Sequence, residues 1–182
     1  MFAIPRSERG FSLVELMMVV AVAGTLMAVS VPMLLDLSES SKLNTATREI
    51  ERELQAARLK AVSTNRLLRV RLNCPAAGYF RTVEVLGTAA DASSNRCLLT
   101  AYPFPAADTD LATRPNHDGP VRTLVDGAEV TTAVIEFRPD GSAAEVISDV
   151  AQNIDTPVSI TVTRRDQTRT VNINGAGRVQ LQ

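Results

Sequence analysis

The hydrophobic pattern of this chain changes character twice. From Leu16 to Leu35, 20 residues pass without a charge. At ~1.5 Å rise per helical residue they span ~30 Å, the hydrocarbon thickness of a bilayer. From Asp36 the pattern becomes one-sided. Leu43, Ala46, Ile50, Leu54, Ala57 and Ala61 recur at steps of three and four, a single helical stripe, while Arg48, Glu49, Arg52, Glu53 and Lys60 mostly fill the other faces. Polar residues break the stripe at Ser63–Asn65. One helix from about Phe11 to about Thr64 follows, apolar all round in its first half and amphipathic in its second.

After Asn65 the period drops to two. Leu68, Val70 and Leu72 alternate with Arg69 and Arg71, which predicts a strand with one buried face. Tyr79–Leu86 reads as its hairpin partner, Thr88–Arg96 as a polar loop and Cys97–Tyr102 as a third strand. Residues 103–120 hold four prolines and no periodicity. So long a connection is a functional surface loop or a mobile one. Further strands are predicted at Val121–Val125, Val134–Arg138, Ala144–Ile147, Val158–Thr163, Thr170–Ile173 and Arg178–Leu181. Val134–Ile147 and Val158–Ile173 form two hairpins. Asp140-Gly141 and Gly175-Ala176-Gly177 supply positive-φ positions, and Arg165-Asp166-Gln167 makes a polar corner.

The fold class is therefore α+β: a long N-terminal helix, membrane half plus amphipathic half, packed on a C-terminal antiparallel β-sheet domain. The organisation reads as a leader over residues 1–10, a transmembrane half over 11–35, the amphipathic half over 36–65 and a β domain over 66–182. That last part is long enough for a real core. Within the membrane half, Gly24 and Pro32 interrupt the pattern. Pro32 lacks an N–H and crowds the carbonyl of Ala28, so a kink or local opening is expected there.

Charge sets the orientation. The leader carries Arg6 and Arg9 against Glu8, and basic flanks stay in the cytoplasm, which places the C-terminal domain on the outer face of the membrane. A secretory signal peptide would have a shorter apolar core and a small-residue cleavage site at its far end. The overall net charge of −1 gives no field toward nucleic acid or anionic lipid. With 4% aromatics and no Trp, the core is aliphatic and offers little platform for stacking bases. Cys74 and Cys97 are the only cysteines. In an exported domain they meet an oxidising compartment, which favours a disulfide closing a 23-step loop, worth ~3 kcal/mol. Two buried free thiols are the alternative.

At the head of the apolar run stands Gly10-Phe11-Ser12-Leu13-Val14-Glu15-Leu16. A glycine, an aromatic and a glutamate four residues after it, opening a ~20-residue apolar helix, resemble the signature of type IV pilins and type II secretion pseudopilins. The helix followed by strands, with Phe137–Ser142 (FRPDGS) and Ile160–Val179, is similar to the GspH/FimT group of minor pilins and pseudopilins. The resemblance implies cleavage between Gly10 and Phe11 by a prepilin peptidase and N-methylation of Phe11. It makes Gly24 and Pro32 the helix-weakening positions and gives Glu15 an assembly role. The implied partners are other minor and major subunits, the peptidase, an inner-membrane assembly platform and, before assembly, membrane lipid. The chain would begin as a single-pass protein of the bacterial inner membrane, N-terminus cytoplasmic and β domain periplasmic, and end in a periplasmic or extracellular filament.

The role of Glu15 has a physical basis. A carboxylate costs ~2.5–3.5 kcal/mol at the centre of a membrane helix and less near its end. In a helix bundle it needs a cation, and the amine of a neighbour's Phe11 would fix axial register between subunits.

Enzymatic chemistry finds no support. His117 stands alone in the proline-rich loop without a partner at ligand spacing and reads as a solvated residue; no metal site is expected. No G-x-S-x-G nucleophile motif occurs, and Gly175–Gly177 lacks the third glycine and strand-to-helix context of a dinucleotide site. The reading is a structural protein without cofactor. One binding alternative remains. Arg164, Arg165, Arg169 and Arg178 crowd the last hairpin and tail, a patch that could contact the phosphates of DNA. FimT-like DNA-binding pilins carry a Gly-Arg-x-Arg tail. Here Gly177-Arg178-Val179-Gln180 lacks the second arginine, and exposed arginines on solvent-facing strand positions are the favoured reading.

Overall fold

The computed structural model describes residues 10–105, 115–125 and 127–182, without the side chains of Val29 and Pro32. The predicted leader and its Arg6, Glu8 and Arg9 lie outside the described residues. Two compact units divide the chain at Glu39/Ser40. A single α-helix, α1 (Leu13–Thr64), contributes to both. It is assigned without interruption through Gly24 and Pro32, so no break in the helix appears at either position.

In the second unit α1 buries the predicted stripe: Leu43, Ala46, Ile50, Leu54, Ala57 and Ala61 are all at most 2% exposed. The helix stops because Asn65 adopts φ 53° and Arg66 N–H donates to Ala61 O at 3.1 Å, the left-handed cap that closes a helix end. Ten strands follow: β1 (Leu68–Leu72), β2 (Tyr79–Glu84), β3 (Arg122–Thr123), β4 (Glu129–Val130), β5 (Val134–Phe137), β6 (Ala143–Ile147), β7 (Val150–Asn153), β8 (Val158–Arg164), β9 (Gln167–Ile173) and β10 (Val179–Leu181). They form two antiparallel sheets, of six strands ordered β3-β2-β1-β5-β6-β7 and of four ordered β10-β9-β8-β4. One core cluster joins the stripe of α1 to Leu68, Val70, Phe80, Ile135 and Phe137 of the larger sheet and to Val130, Ile160, Val162, Val171 and Ile173 of the smaller.

Several expectations need correction. Cys97–Tyr102 is not a strand. Ser94–Cys97 forms a 3-10 turn and Leu98 begins a further turn, with Leu98 O accepting from Tyr102 N–H at 2.9 Å. The preceding polar stretch also carries a short 3-10 helix, Ala89–Ala92, capped reciprocally by Thr88 and Asp91. Strands β4 and β7 escaped prediction because two or four residues without clean alternation carry no periodic signal. Gly177 does take a positive φ, 71°, but Gly175 does not. Gly175 is needed for close approach instead: a Cβ there would lie 2.6 Å from Ile154 O.

The largest departure concerns the faces of β1 and β2. Arg69 is buried and its Nε donates to Glu136 Oε2 at 2.8 Å across the β1–β5 register. Five of the six β2 residues are buried. The face opposite α1 is covered by the segment that follows β2.

Candidate assembly site

In the first unit the sequence places apolar side chains on every face of the helix, and among the described residues nothing covers them. Phe11 is 82% exposed, and Leu13, Met17, Met18, Leu26, Met33 and Leu37 are exposed with it. This is the one helix among the described residues long and apolar enough to cross a membrane, and none of its apolar window is buried. Leu16 N–H donates to Ser12 O at 3.1 Å, closing the first turn, and Glu15 sits in that turn. A carboxylate there faces the positive end of the helix dipole, which is favourable until the site is taken out of water. Gly24 has open space around its missing Cβ, so no intramolecular contact requires glycine. Thr25 and Ser30 return their hydroxyls to the carbonyls of Val22 and Leu26, satisfying themselves within the helix.

The second unit is closed on itself by two polar clusters that the sequence did not announce. The first lies on the far face of β2. Arg81 and Arg96 are fully buried around Asp118, itself 4% exposed. Arg96 pairs with Asp118 through both carboxylate oxygens, and Arg81 Nη2 lies 3.5 Å from Asp118 Oδ2. Arg81 Nε donates to Gly119 O, and Arg96 Nη2 to Glu84 O, each at 2.8 Å. The Arg96 guanidinium also stacks 4.4 Å from the Tyr102 ring centroid. Burial pushes the Arg81 guanidinium below its ordinary value, against the opposing pull of Asp118. Arg71 is lowered by burial in the same way. Cys74 and Cys97 are bonded, with Cα atoms 5.5 Å apart, and tie the Arg96 turn to the end of β1.

Residues 106–114 of the proline-rich connection lie outside the described residues, but residues 115–120 are clamped. Asn116 N–H and His117 N–H donate to Glu84 Oε2 at 2.8 and 3.1 Å, and His117 O accepts from Lys60 Nζ at 2.8 Å. His117 is thus half-buried, not a solvated residue as expected. Glu53, expected on the polar face of α1, is 8% exposed and accepts from the Thr82 hydroxyl.

Arg58 of α1 makes the second cluster. Its Nε donates to Gly141 O at 2.9 Å and its Nη2 to Ala176 O at 3.1 Å. One side chain therefore pins the β5–β6 and β9–β10 turns to the helix. A Cβ on Gly177 would collide with Gly141 O and with Arg58 Nε. No pattern in the sequence singles out Arg58, because its partners are backbone carbonyls far along the chain.

The four C-terminal arginines do not form one patch. Arg164, Arg165 and Arg169 stand at the β8–β9 turn, with Arg164 packed beside Gly127. Arg178 lies at the opposite end of β9, across from Asn174, ~17 Å away along the strand. Three of the arginines therefore gather at one end of β9 and Arg178 stands at the other.

The family model for the prokaryotic N-terminal methylation motif matches residues 5–31, and that for type II transport protein GspH matches residues 46–177. Among solved structures, the type IV minor pilin FimU of Pseudomonas aeruginosa is similar at 17% identity and a TM-score of 0.48, over 80% of this chain and 92% of that one. The minor pseudopilin EpsH of the Vibrio cholerae type 2 secretion system is similar at 12% identity and a TM-score of 0.45, over 78% and 96%. No curated protein sequence matches the chain.

Proposed function

Since the chain belongs to the GspH family of minor pilins and pseudopilins, we propose that it is a minor structural subunit of a type II secretion or type IV pilus filament. The observation that carries this reading is the first unit: an apolar helical surface covered by nothing among the described residues, with Glu15 in its first turn behind Gly10-Phe11. Lipid would cover that surface before assembly, and the helices of other minor and major subunits after it. Prepilin peptidase would cut after Gly10 and the Phe11 amine would be methylated. The assembly platform would then draw the helix from the membrane, with Glu15 pairing to a neighbour's Phe11 amine. The β domain would be periplasmic at first and sit on the filament exterior or tip.

Intact mass with N-terminal fragmentation of the membrane-purified protein tests the reading. Loss of residues 1–10 plus one methyl on Phe11 is expected, with a two-hydrogen gain on reduction of the Cys74–Cys97 bond. A chain still beginning at Met1, from a host with active peptidase, or a Gly10→Ala variant of unchanged size class, would leave only a membrane-anchored domain.

A further inference from the structure

The smaller sheet ends at β10, and a groove separates that edge from an exposed part of α1. Its outer strand β10 exchanges both backbone bonds with β9 at Gln182–Thr170, 2.9 and 3.4 Å. By antiparallel alternation Gln180 also faces β9, so the N–H and C=O groups of Val179 and Leu181 point to the open edge. The side chains of Val179 and Leu181 lie on the same face as Ile173 and Val171, the core face. Beyond that edge α1 presents Leu59, 71% exposed, and Val62, 47% exposed. Between edge and helix runs a groove of ≈ 380 Å³, lined by Arg58, Leu59, Val62, Arg178 and Val179. Among the described residues no carboxylate pairs with Arg58 or with the exposed Arg178.

We propose that this groove is a strand-addition site for an extended, acid-bearing apolar segment of another filament subunit. This rests on the filament reading for the identity of the partner, though not for the chemistry of the site. An added strand would take its main-chain bonds from Val179 and Leu181. Its alternate side chains would fall on Leu59 and Val62, completing the cover of the helix. A carboxylate on the segment would meet Arg178 and the remaining N–H donors of Arg58. A second copy of β10 is a poorer occupant: Arg178-Val-Gln-Leu-Gln182 brings a further guanidinium and no acidic side chain. A nucleic acid gains nothing from an apolar wall without an aromatic ring.

The test uses the full chain in detergent micelles and a fluorescein-labelled synthetic peptide in which valine alternates with aspartate and glutamate, followed by anisotropy. Expected is saturable binding with Kd of about 0.1 mM, at least fivefold tighter than a peptide with lysine in place of the acids. Methylating the peptide's edge-pairing amides should abolish it. Leu59→Ser and Arg178→Glu, both at exposed positions, should each weaken binding about tenfold while leaving the thermal unfolding midpoint unchanged. The proposal is overturned by no saturable binding, by equal binding of the lysine peptide, by unaltered affinity in both variants, or by a 12-nucleotide single strand binding more tightly than the acidic peptide. Because the readout does not involve processing at Gly10, its failure leaves the filament reading standing, and failed processing leaves the groove standing.

Discussion

The two stretches of α1, Leu13–Glu39 and Ser40–Thr64, share one backbone hydrogen-bonding scheme and differ in everything around it. Leu26 is 64% exposed, whereas Leu54 is wholly buried. In the first stretch apolar residues occupy every face, so no packing within the chain could cover them all. In the second they occupy one face, and the two sheets cover it. A helix that is complete within its own domain contributes stability. A helix that is apolar all round contributes a surface that lipid or other helices must satisfy. Even the carboxylates differ: Glu53 has Thr82 and Arg122 as partners within the chain, while the partner proposed for Glu15 belongs to a neighbouring subunit.

That contrast can be broken experimentally. The largest effect is expected at Glu15. Glu15→Leu should still insert in the membrane but fall out of sheared filament fractions at least tenfold, as measured by immunoblot; normal incorporation would remove the register argument. In the second unit, Asp118→Ala leaves two fully buried guanidiniums without a carboxylate and should cost about 3–5 kcal/mol in denaturant unfolding. Leu54→Ala should cost about 2–5 kcal/mol by the same measurement, and Leu26→Ala, on the exposed half, nothing detectable. An equal cost at both leucines would abolish the distinction between the halves.

The smallest effect sharpens the comparison at the surface. Hydrogen bonds from the Ser142 hydroxyl, and then from its backbone N–H, hold the Asp140 carboxyl below its ordinary value of 3.8. A depressed acid stabilises the fold above its unfolded pKa, and that contribution is lost as pH falls through the lower folded value. Asp140→Asn should therefore lower the unfolding midpoint slightly at pH 7, with the difference from wild type shrinking as the pH is lowered below 3.8.

Legibility in the sequence followed the range of each interaction. The helical stripe could be read because its members lie within a turn or two of each other, and burial confirms each of its six residues. The β1, β5, β8 and β9 strands were visible through period-two patterning. Cys97–Tyr102, expected as a strand from a short mostly apolar stretch, is instead held as turns beside the Cys74 bond and the Arg96–Asp118 pair. Arg69 falls on the face expected to meet solvent because charge normally marks an exposed face, and no local pattern marks Arg81 as buried. Each instead meets a carboxylate more than 35 residues away in sequence.

Local pattern alone was enough to read a membrane-length helix near the N-terminal end, with one acid near its entrance, continuing into an amphipathic half before a strand-rich domain. Length, charge and period are local properties, and the backbone's need for internal hydrogen bonds in lipid leaves helix as the solution. Which polar groups are interior, the pinning of two distant turns by Arg58, the separation of the four arginines along β9 and the open edge of β10 were set by the folded arrangement of the domain. Those outcomes depend on strand order and register across the whole domain, where a shift of one residue exchanges every inward side chain for an outward one.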